Sequence, residues 1–402
     1  MLPGRLAHLP PGSFVQLASL LDPIPPGEPP ISLAVGDPQS VPPDFIAEII
    51  AQHDNEFGTY PPIIGTAEWR EAGVNWLTRR FALNPGDIDP EAHLLPLCGT
   101  REGLFMALFA IVPETKTAAR PVVLIPNPFY QCYAAAALAS GAEPVFVPAR
   151  ADTGYLPDYA SLPHAVLERT AAVFICFPSN PEGACASTDY WRSLFELSER
   201  FGFVVLADEC YADIYRDTAP VGALTAFRER GQGFERLLTF HSLSKRSGLP
   251  GLRSGMVAGD AKLIAGFRAL RNYAGPQMPL PLMAASTAAW RDEDHVVRNR
   301  EAYREKFRIA EAKLGNLGNF RLPDGSFFLW LDVGNGVEVA RDLWQTAGVR
   351  VLPGAFMGRE TEPGKIQSNP GFPYIRVALV NDSSTIVAAL ERMREVLERR
   401  GA

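Results

Sequence analysis

Four polar side chains lie on a glycine- and proline-rich bend between two apolar segments, in the stretch LLTFHSLSKRSGLPGLRSGMVAGD at 237–260. They are Ser242, Ser244, Lys245 and Arg253. Two hydroxyls and a guanidinium suit a phosphate, because they supply short donors and a planar fork. Lysine forms Schiff bases when its amine is desolvated or lies near other cations. A phosphate beside a Schiff base indicates pyridoxal 5′-phosphate (PLP), although this stretch alone is also typical of a basic surface loop.

The composition excludes several other classes of protein. The chain has 402 residues and a formal net charge of -7, and no lysine- or arginine-rich face stands out, so we expect no nucleic-acid partner. The N-terminal sequence has no apolar h-region, and no apolar run approaches the ~20 residues that span a bilayer, so we expect neither a secretory signal nor a membrane segment. Five cysteines without C-x-x-C spacing predict buried free thiols in a reducing cytoplasm, and the six histidines show no metal-ligand spacing.

The pattern of apolar segments predicts an α/β fold. From residue 121 onward, continuous apolar runs such as PVVLIP, AVFICFPS and FVVLAD alternate with helical segments. Buried parallel strands have this appearance, and the alternation favours a mostly parallel, doubly wound sheet. A long helical stretch is predicted over 279–310, and alternating strands follow from about 311 around helices at 337–347 and 383–399. We expect an extended N-terminal arm (1–43) that packs with a small α+β C-terminal domain (281–402), and a large domain (44–280).

Residues that could bind PLP follow successive strands of this predicted sheet. Ligands of such sheets bind at the carboxyl ends of the strands. Asp208 ends FVVLAD and could keep a pyridine nitrogen protonated, although a helix N-cap is the alternative. Tyr211 and Asn180 could hydrogen-bond a ring hydroxyl, although N-P-x-G is also an ordinary turn. Tyr130 could stack on the ring or be a core aromatic residue.

As a set, these motifs resemble the PLP-dependent aminotransferases of fold type I, class I/II. The motifs are N-P-x-G, D-E-x-Y, S-x-S-K followed by an arginine, and a late arginine on a strand, and the resemblance extends from LAVG at 33–36 to YIRV at 374–377. It implies that Lys245 binds the PLP aldehyde covalently and that Asp208 pairs with the pyridinium. It also implies that Asn180 and Tyr211 bind the ring hydroxyl while Tyr130 stacks on the ring.

The same resemblance assigns the phosphate and the substrate. It implies that the phosphate is held by Thr100, Arg101, Ser242, Ser244 and Arg253. Tyr60 would reach the phosphate of the neighbouring subunit, which implies a homodimer. Arg376 would clamp the α-carboxylate of the substrate, Asn180 would contact the substrate, and Gly36 would lie over it. Glu182 departs from the family, which commonly has threonine there, but it lies outside these roles.

The resemblance implies an aminotransferase that moves an amino group from an amino-acid donor to 2-oxoglutarate with ping-pong kinetics, with Lys245 as the general base. Within the family, phrases such as GTREGLF and PDGSFFLW are similar to the bacterial succinyldiaminopimelate aminotransferases of lysine and diaminopimelate biosynthesis. The expected donor is therefore N-succinyl-L,L-diaminopimelate, whose distal carboxylates need cationic or amide partners. Candidates for these partners are Arg5, Arg271, Asn272 and Arg359.

Other functions stay open at this point. The chain could be another class I/II aminotransferase of the acetylornithine, aspartate or aromatic type, or a PLP-dependent lyase that cleaves C–S bonds. A non-catalytic effector-binding domain is disfavoured, because the full catalytic set is present and no helix-turn-helix precedes it. A dehydrogenase or P-loop enzyme is disfavoured too, because the sequence has neither G-x-G-x-x-G nor G-x-x-x-x-G-K-[ST].

Overall fold

The computed structural model describes Gly4, Ala7, Leu9 and residues 11–231, 233–318 and 320–401. The strands formed by these residues are β1 (Ile31–Ser32), β2 (Leu94–Leu97), β3 (Val122–Asn127), β4 (Glu143–Pro148), β5 (Thr170–Cys176), β6 (Val204–Asp208), β7 (Leu237–Ser242), β8 (Gly255–Gly259), β9 (Phe328–Asp332), β10 (Val349–Arg350), β11 (Leu352–Pro353) and β12 (Tyr374–Ala378). The helices are α1 (Ser13–Leu21), α2 (Phe45–Gln52), α3 (Ala67–Arg80), α4 (Thr100–Ile111), α5 (Gln131–Ala139), α6 (His164–Arg169), α7 (Thr188–Phe201), α8 (Ala223–Arg228), α9 (Leu243–Arg246), α10 (Ala261–Ala274), α11 (Leu280–Arg291), α12 (Asp294–Leu314), α13 (Gly336–Ala347) and α14 (Ser383–Arg399).

Seven strands form the central sheet, in the order β2–β8–β7–β6–β5–β3–β4. Strands β7, β6, β5, β3 and β4 run parallel to one another, and β8 is antiparallel to both β7 and β2. Every residue of β3 and β5 is buried, as expected for strands with both faces covered. The predicted mostly parallel α/β sheet is confirmed.

Helices cover both faces of this sheet. One face packs against α4, α5 and α10, and the other packs against α2, α3, α7, α8 and α11. Helix α7 illustrates the local signals: the Ser187 hydroxyl accepts from the backbone N–H of Tyr190 at 3.1 Å, and Gly202, with φ of 65°, ends the helix. Trp191 and Phe195 then lie four residues apart, on the buried face.

A smaller antiparallel sheet with the order β11–β12–β9 lies in the C-terminal part of the chain. Helices α12, α13 and α14 pack on it in a separate hydrophobic cluster. The N-terminal segment joins this part through β1, which pairs in parallel with β10. Its Leu17, Leu21 and Ala34 also share a cluster with Trp344 and Leu352.

The predicted extended arm is wrong over residues 13–21, which form α1. Leu17 and Leu21 lie one helical turn apart and are both buried against the C-terminal part of the chain, so an apolar stripe stabilises the helix. The Trp344 indole N–H donates to the backbone oxygen of Ile24 at 2.7 Å and fixes the chain that follows. The prolines on both sides of this short segment obscured its helical period.

The predicted helical stretch over 279–310 consists of two helices, α11 and α12. Helix α11 packs with α2 and α3, and the Trp69 indole N–H donates to the buried Ser286 hydroxyl at 3.0 Å. Trp290 belongs to the same cluster. We therefore propose that the large unit comprises residues 44–291, ending at Arg291 instead of residue 280. The small unit then comprises residues 292–401 together with the N-terminal arm.

Candidate active site

The carboxyl ends of the parallel strands meet at one rim of the central sheet. Cys176 at the end of β5 pairs with Asp208 at the end of β6, and Asp208 pairs with Phe240 in β7. Strand β7 leads directly into α9, which carries Lys245. The structure places five predicted site residues at or just beyond these strand ends: Tyr130, Asn180, Asp208, Tyr211 and Lys245.

Lys245 presents a buried amine at this rim. Its Nζ donates to the backbone oxygen of Gly36 at 2.6 Å and lies 5.4 Å from the centroid of the Phe327 ring. Burial lowers the pKa of the amine to about 8, although Cys210 and Asp37 favour its charged form. An amine with such a pKa is partly deprotonated near neutral pH, which a nucleophile or a general base requires.

The backbone of Lys245 is held by its neighbour Arg246 and by α12. The Arg246 guanidinium is buried between the rings of Trp76 and Trp290, and its Nε lies 3.1 Å from Asp213 Oδ2. The Asn299 amide donates to the backbone oxygens of both Lys245 and Arg246 at 3.0 Å. The peptide that carries the amine is therefore anchored on both sides in the core.

Asp208 is a buried carboxyl group without a cationic partner. Its Oδ2 accepts from the Tyr133 hydroxyl at 2.7 Å, and its Oδ1 accepts from the backbone N–H of Cys210 at 3.4 Å. Burial raises the pKa of Asp208, and these hydrogen bonds oppose the rise. No cation among the described residues contributes to this balance. A buried carboxylate is costly unless it is paired, so the position suits a ligand that brings a positive charge.

Arg376 supplies a second buried charge. Its Nη1 donates to Asn180 Oδ1 at 2.9 Å and its Nη2 to the backbone oxygen of Ala34 at 2.8 Å, while its Nε has no partner. The guanidinium lies 4.1 Å from the centroid of the Phe328 ring. Burial lowers the pKa of Arg376 to about 10, although Tyr211 favours the charged form. Since no carboxylate among the described residues neutralises it, Arg376 can receive the carboxylate of a ligand.

The N-terminus of α4 forms a cradle for an anion. Its N-cap is Gly99, with φ of 85°, and a Cβ there would lie 2.2 Å from Arg253 Nη2. Glycine therefore lets the Arg253 guanidinium approach the helix terminus, where it donates to the backbone oxygen of Cys98 at 3.2 Å. Thr100 opens the helix, with its hydroxyl 3.0 Å from the Cys210 thiol. A helix N-terminus beside a guanidinium is a suitable phosphate site.

The other residues predicted to hold the phosphate make different contacts in the structure. The Ser242 hydroxyl is buried and caps α9, because it accepts from the backbone N–H of Ser244 at 3.1 Å. Ser244 itself is half-buried at the rim. The Arg101 guanidinium donates to the Tyr130 hydroxyl, and burial raises the pKa of Tyr130 to about 12.

Tyr60 lies away from these contacts, with 96% of its side chain exposed. It follows the short 3₁₀ helix at Asp54–Gly58 and precedes two prolines. The Tyr60 side chain makes none of the hydrogen bonds described above for the residues at the rim.

Sequence reasoning missed several residues of the site. Tyr133, which donates to Asp208, occurs in the phrase PNPFYQCY three residues after Tyr130; it lies in the first turn of α5, whereas Tyr130 precedes the helix in an extended conformation. Phe327 and Phe328, whose rings face Lys245 and Arg376, gave no signal beyond an apolar strand. Cys210, beside Thr100, was read only as a buried thiol.

The residues predicted to pair with the distal carboxylates of the donor differ in their environments. Arg271 is committed to the core, because its Nη1 lies 2.7 Å from both carboxylate oxygens of Glu102. Asn272 is exposed on α10. Arg5 lies outside the described residues. Arg359 lies near the end of β3, with its backbone N–H donating to Asn127 Oδ1 at 2.9 Å.

Comparison with known proteins decides the family. The family model for aminotransferase class I and II matches residues 28–395. The chain belongs to the class I and II aminotransferases. An aminotransferase of known structure from Neisseria meningitidis has a TM-score of 0.92 and 40% sequence identity, and the match covers 98% of this chain and 99% of that one. The predicted family and the fold type I architecture are therefore confirmed.

The relatives of this aminotransferase differ in their named substrates. An LL-diaminopimelate aminotransferase from Desulforudis audaxviator is 31% identical, over 98% of this chain and 97% of the relative. A 4-dedimethylamino-4-oxo-anhydrotetracycline transaminase from Streptomyces rimosus is 32% identical, over 90% of this chain and 92% of the relative. Membership of the family therefore establishes amino transfer but leaves the donor to be decided by other residues.

This aminotransferase uses PLP, as its family and its structural neighbours do. The residues at the rim fit that cofactor in three ways. The unpaired carboxyl of Asp208 suits a protonated pyridine nitrogen, the low-pKa amine of Lys245 suits the aldehyde, and the cradle at Gly99 suits the phosphate. In the protein alone, Asp208 lacks a counter-charge and burial lowers the pKa of Lys245, so a bound cofactor would complement both groups.

The described part of the chain has neither a candidate metal site nor a candidate membrane-spanning helix. It contains no group of three or more His, Cys, Asp or Glu side chains arranged to hold a metal ion. It also contains no helix with the length and apolarity needed to cross a bilayer. The five cysteines form no disulfide; Cys176 is buried and the other four are partly exposed.

Proposed function

We propose that this aminotransferase transfers the amino group of N-succinyl-L,L-diaminopimelate to 2-oxoglutarate. The observation that carries the proposal is the pair formed by Lys245 and Arg376. A partly deprotonated amine and a buried guanidinium that lacks a carboxylate flank one space at the rim. The relatives named for LL-diaminopimelate support a long donor with more than one carboxylate.

Lys245 performs the proton transfer in this proposal. Bound PLP supplies an electron sink that makes the α-proton of the donor acidic. Lys245 Nζ then takes the proton from the α-carbon, and its lowered pKa keeps a fraction of the amine free for this role at neutral pH. Its backbone is fixed by Arg246 and Asn299, so the amine reaches the α-carbon from a constant position.

The other rim residues orient the cofactor. Asp208, held by Tyr133, stabilises the positive charge on the ring nitrogen, and this charge stabilises the carboxylate in return. Asn180 and Tyr211 would hydrogen-bond the ring hydroxyl, and Tyr130 would stack on the ring. The α4 cradle would receive the phosphate, with Thr100, Arg101, Ser242, Ser244 and Arg253 as the residues that hold it.

Arg376 binds the α-carboxylate of the donor. Its unpaired Nε and its contact with Asn180 leave the guanidinium able to form a two-pronged pair with a carboxylate. The backbone oxygens of Ala34 and Gly36, which accept from Arg376 and Lys245, bring the N-terminal arm over the same space. All α-amino acids carry this carboxylate, so Arg376 recognises the class of donor and does not select within it.

The active unit in this proposal is a homodimer. The exposed ring of Tyr60 supports it, because a side chain that is 96% exposed in one chain is available to contact the phosphate site of a second copy. The exposed Phe57 on the same segment adds apolar surface for a partner. A second copy of this chain then completes each site.

LL-diaminopimelate without the succinyl group is the second candidate donor. The specific observation in its favour is the name of the relatives, which are 31% identical over 98% and 89% of this chain. The two donors share both amino-acid ends and differ in the acyl group, which adds a carboxylate and removes a positive charge. Residues that receive the far end of the donor therefore decide between them.

Relative kcat/KM values test the donor with 2-oxoglutarate fixed as the acceptor. The substrates are N-succinyl-L,L-diaminopimelate, LL-diaminopimelate, N-acetylornithine, aspartate and phenylalanine. We expect the succinylated donor to have the highest value. A tenfold advantage for aspartate or phenylalanine, about 1.4 kcal/mol of transition-state preference, would exclude the proposed donor and leave the aminotransferase intact. Release of pyruvate and ammonia without any keto acid would indicate a C–S lyase.

A further inference from the structure

Arg359 is clamped to the rim of the central sheet through its backbone. Its N–H donates to Asn127 Oδ1 at 2.9 Å, and its carbonyl oxygen accepts from Asn127 Nδ2, also at 2.9 Å. Asn127 is fully buried at the end of β3. The preceding Gly358 makes the close approach feasible, because a Cβ there would lie 2.2 Å from Asn369 Oδ1 and 3.0 Å from Asn127 Oδ1. Both hydrogen bonds use backbone atoms of residue 359, so the clamp does not depend on the arginine side chain.

The arginine side chain lacks a carboxylate partner among the described residues. Its Nη1 donates to the backbone oxygen of Gly358 at 2.8 Å, and its Nη2 is buried without a hydrogen-bond partner. The adjacent Glu360 is turned away and accepts from the backbone N–H of Gly364 at 2.7 Å. Burial alone lowers the pKa of Arg359, with no acidic neighbour to oppose the shift. A partly buried charge of this kind is stabilised when an anion binds.

The position of Arg359 relates it to the site. Its guanidinium lies 5.2 Å from the centroid of the Phe129 ring, and Phe129 immediately precedes Tyr130 at the rim. The segment that leads to it starts at β11, where Leu352 pairs with Arg376. The chain thus runs from beside the proposed α-carboxylate site to the end of β3. Two guanidinium groups of the small unit thus contact residues that follow strands of the central sheet, Arg376 at Asn180 and Arg359 at Phe129, and neither has a carboxylate partner among the described residues.

We propose that Arg359 binds the distal carboxylate of the donor, the one farthest from the reacting α-carbon. The proposal rests on the proposed function for its donor, since it assumes a substrate with carboxylates at both ends. The Arg359 guanidinium lies over an aromatic ring and has one nitrogen, Nη2, without a hydrogen-bond partner, so it can pair with such a carboxylate. Arg271 is the other buried arginine among the candidates. It is excluded because its Nη1 already contacts both carboxylate oxygens of Glu102.

Equilibrium binding to the PLP-loaded enzyme tests this site without turnover. The probes are glutarate, adipate, pimelate and suberate, each compared by calorimetry with the monocarboxylate of the same chain length. Wild type should bind at least one diacid tenfold or more tightly than its monocarboxylate. Arg359→Gln should remove this advantage and leave the monocarboxylate Kd within about twofold. Backbone folding should be unchanged by circular dichroism, because the Asn127 clamp remains.

Arg350→Gln is the matched control. Arg350 also lies in the small unit over an aromatic ring, 4.9 Å from the centroid of Trp344, but it is paired with Asp22. It should keep the full diacid advantage. The proposal is overturned if wild type shows no diacid advantage, or if Arg359→Gln retains it. The donor kinetics are a separate measurement. If the enzyme rejects N-succinyl-L,L-diaminopimelate but keeps a diacid advantage that depends on Arg359, the proposed donor is refuted and the Arg359 site is not.

Discussion

The Tyr133 hydroxyl donates a 2.7 Å hydrogen bond to Asp208 Oδ2, and both side chains are buried. A hydrogen bond to an ionised group contributes about 1.5–3 kcal/mol, more than a neutral one. It orients the carboxylate at the end of β6 and favours the charged form that burial opposes. Tyr133 therefore acts on the cofactor through Asp208, as a positioning residue.

Tyr133→Phe should lower kcat by about tenfold or more, from the loss of that hydrogen bond. Without the donor, the pKa of Asp208 rises further, so the loss should be greatest at acidic pH and diminish as the pH rises. The measurement is kcat against pH for wild type and variant. Tyr159→Phe is the control: Tyr159 is equally buried but donates to the backbone oxygen of Phe174 at 2.6 Å, so stability should fall without a change in the pH profile. A parallel profile for Tyr133→Phe would contradict the proposed role.

Lys245→Ala should abolish covalent capture of PLP by borohydride and reduce activity by several orders of magnitude, because the nucleophile and the general base are lost together. Peptide mapping after reduction identifies the labelled lysine. Lys306→Ala is a matched control, because burial lowers the pKa of Lys306 to about 8 as well, while its Nζ donates to the backbone oxygen of Val380 in the small unit. This control should keep the label and the activity. A label on any other lysine would refute the assignment of Lys245.

Glu182→Gln should change how stability depends on pH. Glu182 is 2% exposed with one oxygen unpaired, and burial raises its pKa to about 8, whereas the unfolded carboxyl titrates near 4.5. The folded state therefore binds this proton more tightly. The stabilisation is fully present below about pH 4.5 and is lost as the pH rises to about 8, at about 1.4 kcal/mol for each pKa unit.

Glutamine mimics the protonated carboxyl, so Glu182→Gln should match wild type at about pH 4 and exceed it by a few kcal/mol at about pH 8. Urea unfolding across this range measures the difference. The exposed Glu305→Gln should follow the wild-type curve throughout. If Glu182→Gln also follows that curve, the carboxyl is ionised at low cost in the folded protein and the titration assigned to it is wrong.

Mixing two inactive variants tests whether Tyr60 completes the site of a partner. Tyr60→Ala and Lys245→Ala should each have low activity, the first through weaker binding of PLP. A mixed dimer would pair the intact Lys245 of one chain with the intact Tyr60 of the other, so co-refolding should recover activity at one site in each mixed dimer. No recovery, with mixed dimers demonstrated by mass spectrometry, would show that Tyr60 acts within its own chain or does not act at the site.

The central sheet and much of the site could be predicted from the sequence for a physical reason. Parallel strands buried on both faces read as continuous apolar runs, and their carboxyl ends meet at one rim. Asp208 and Lys245 stand directly after such runs, so their convergence follows from the topology. Helix α1 was missed because two buried leucines in nine residues give a weak period.

Contacts that depend on distant segments could not be predicted. The clamp between Asn127 and Arg359 joins positions 232 residues apart, and nothing local to either residue indicates it. Ser242 was expected at the phosphate, but its hydroxyl caps α9, and a serine before a short helix is compatible with either role. The role of Tyr133 could not be predicted, because its hydrogen bond with Asp208 joins positions 75 residues apart.

Groups proposed for the chemistry and groups proposed for choosing the donor belong to different parts of the chain. Lys245, Asp208 and the α4 cradle lie in the large unit, whereas Arg376 and Arg359 lie in the small unit. Mutations in the small unit can therefore change which donor is accepted, while the residues that transfer the proton stay the same. A duplicated gene of this kind can acquire a new metabolic role by changing a few side chains, and relatives of similar identity bear such different names as LL-diaminopimelate aminotransferase and an anhydrotetracycline-type transaminase.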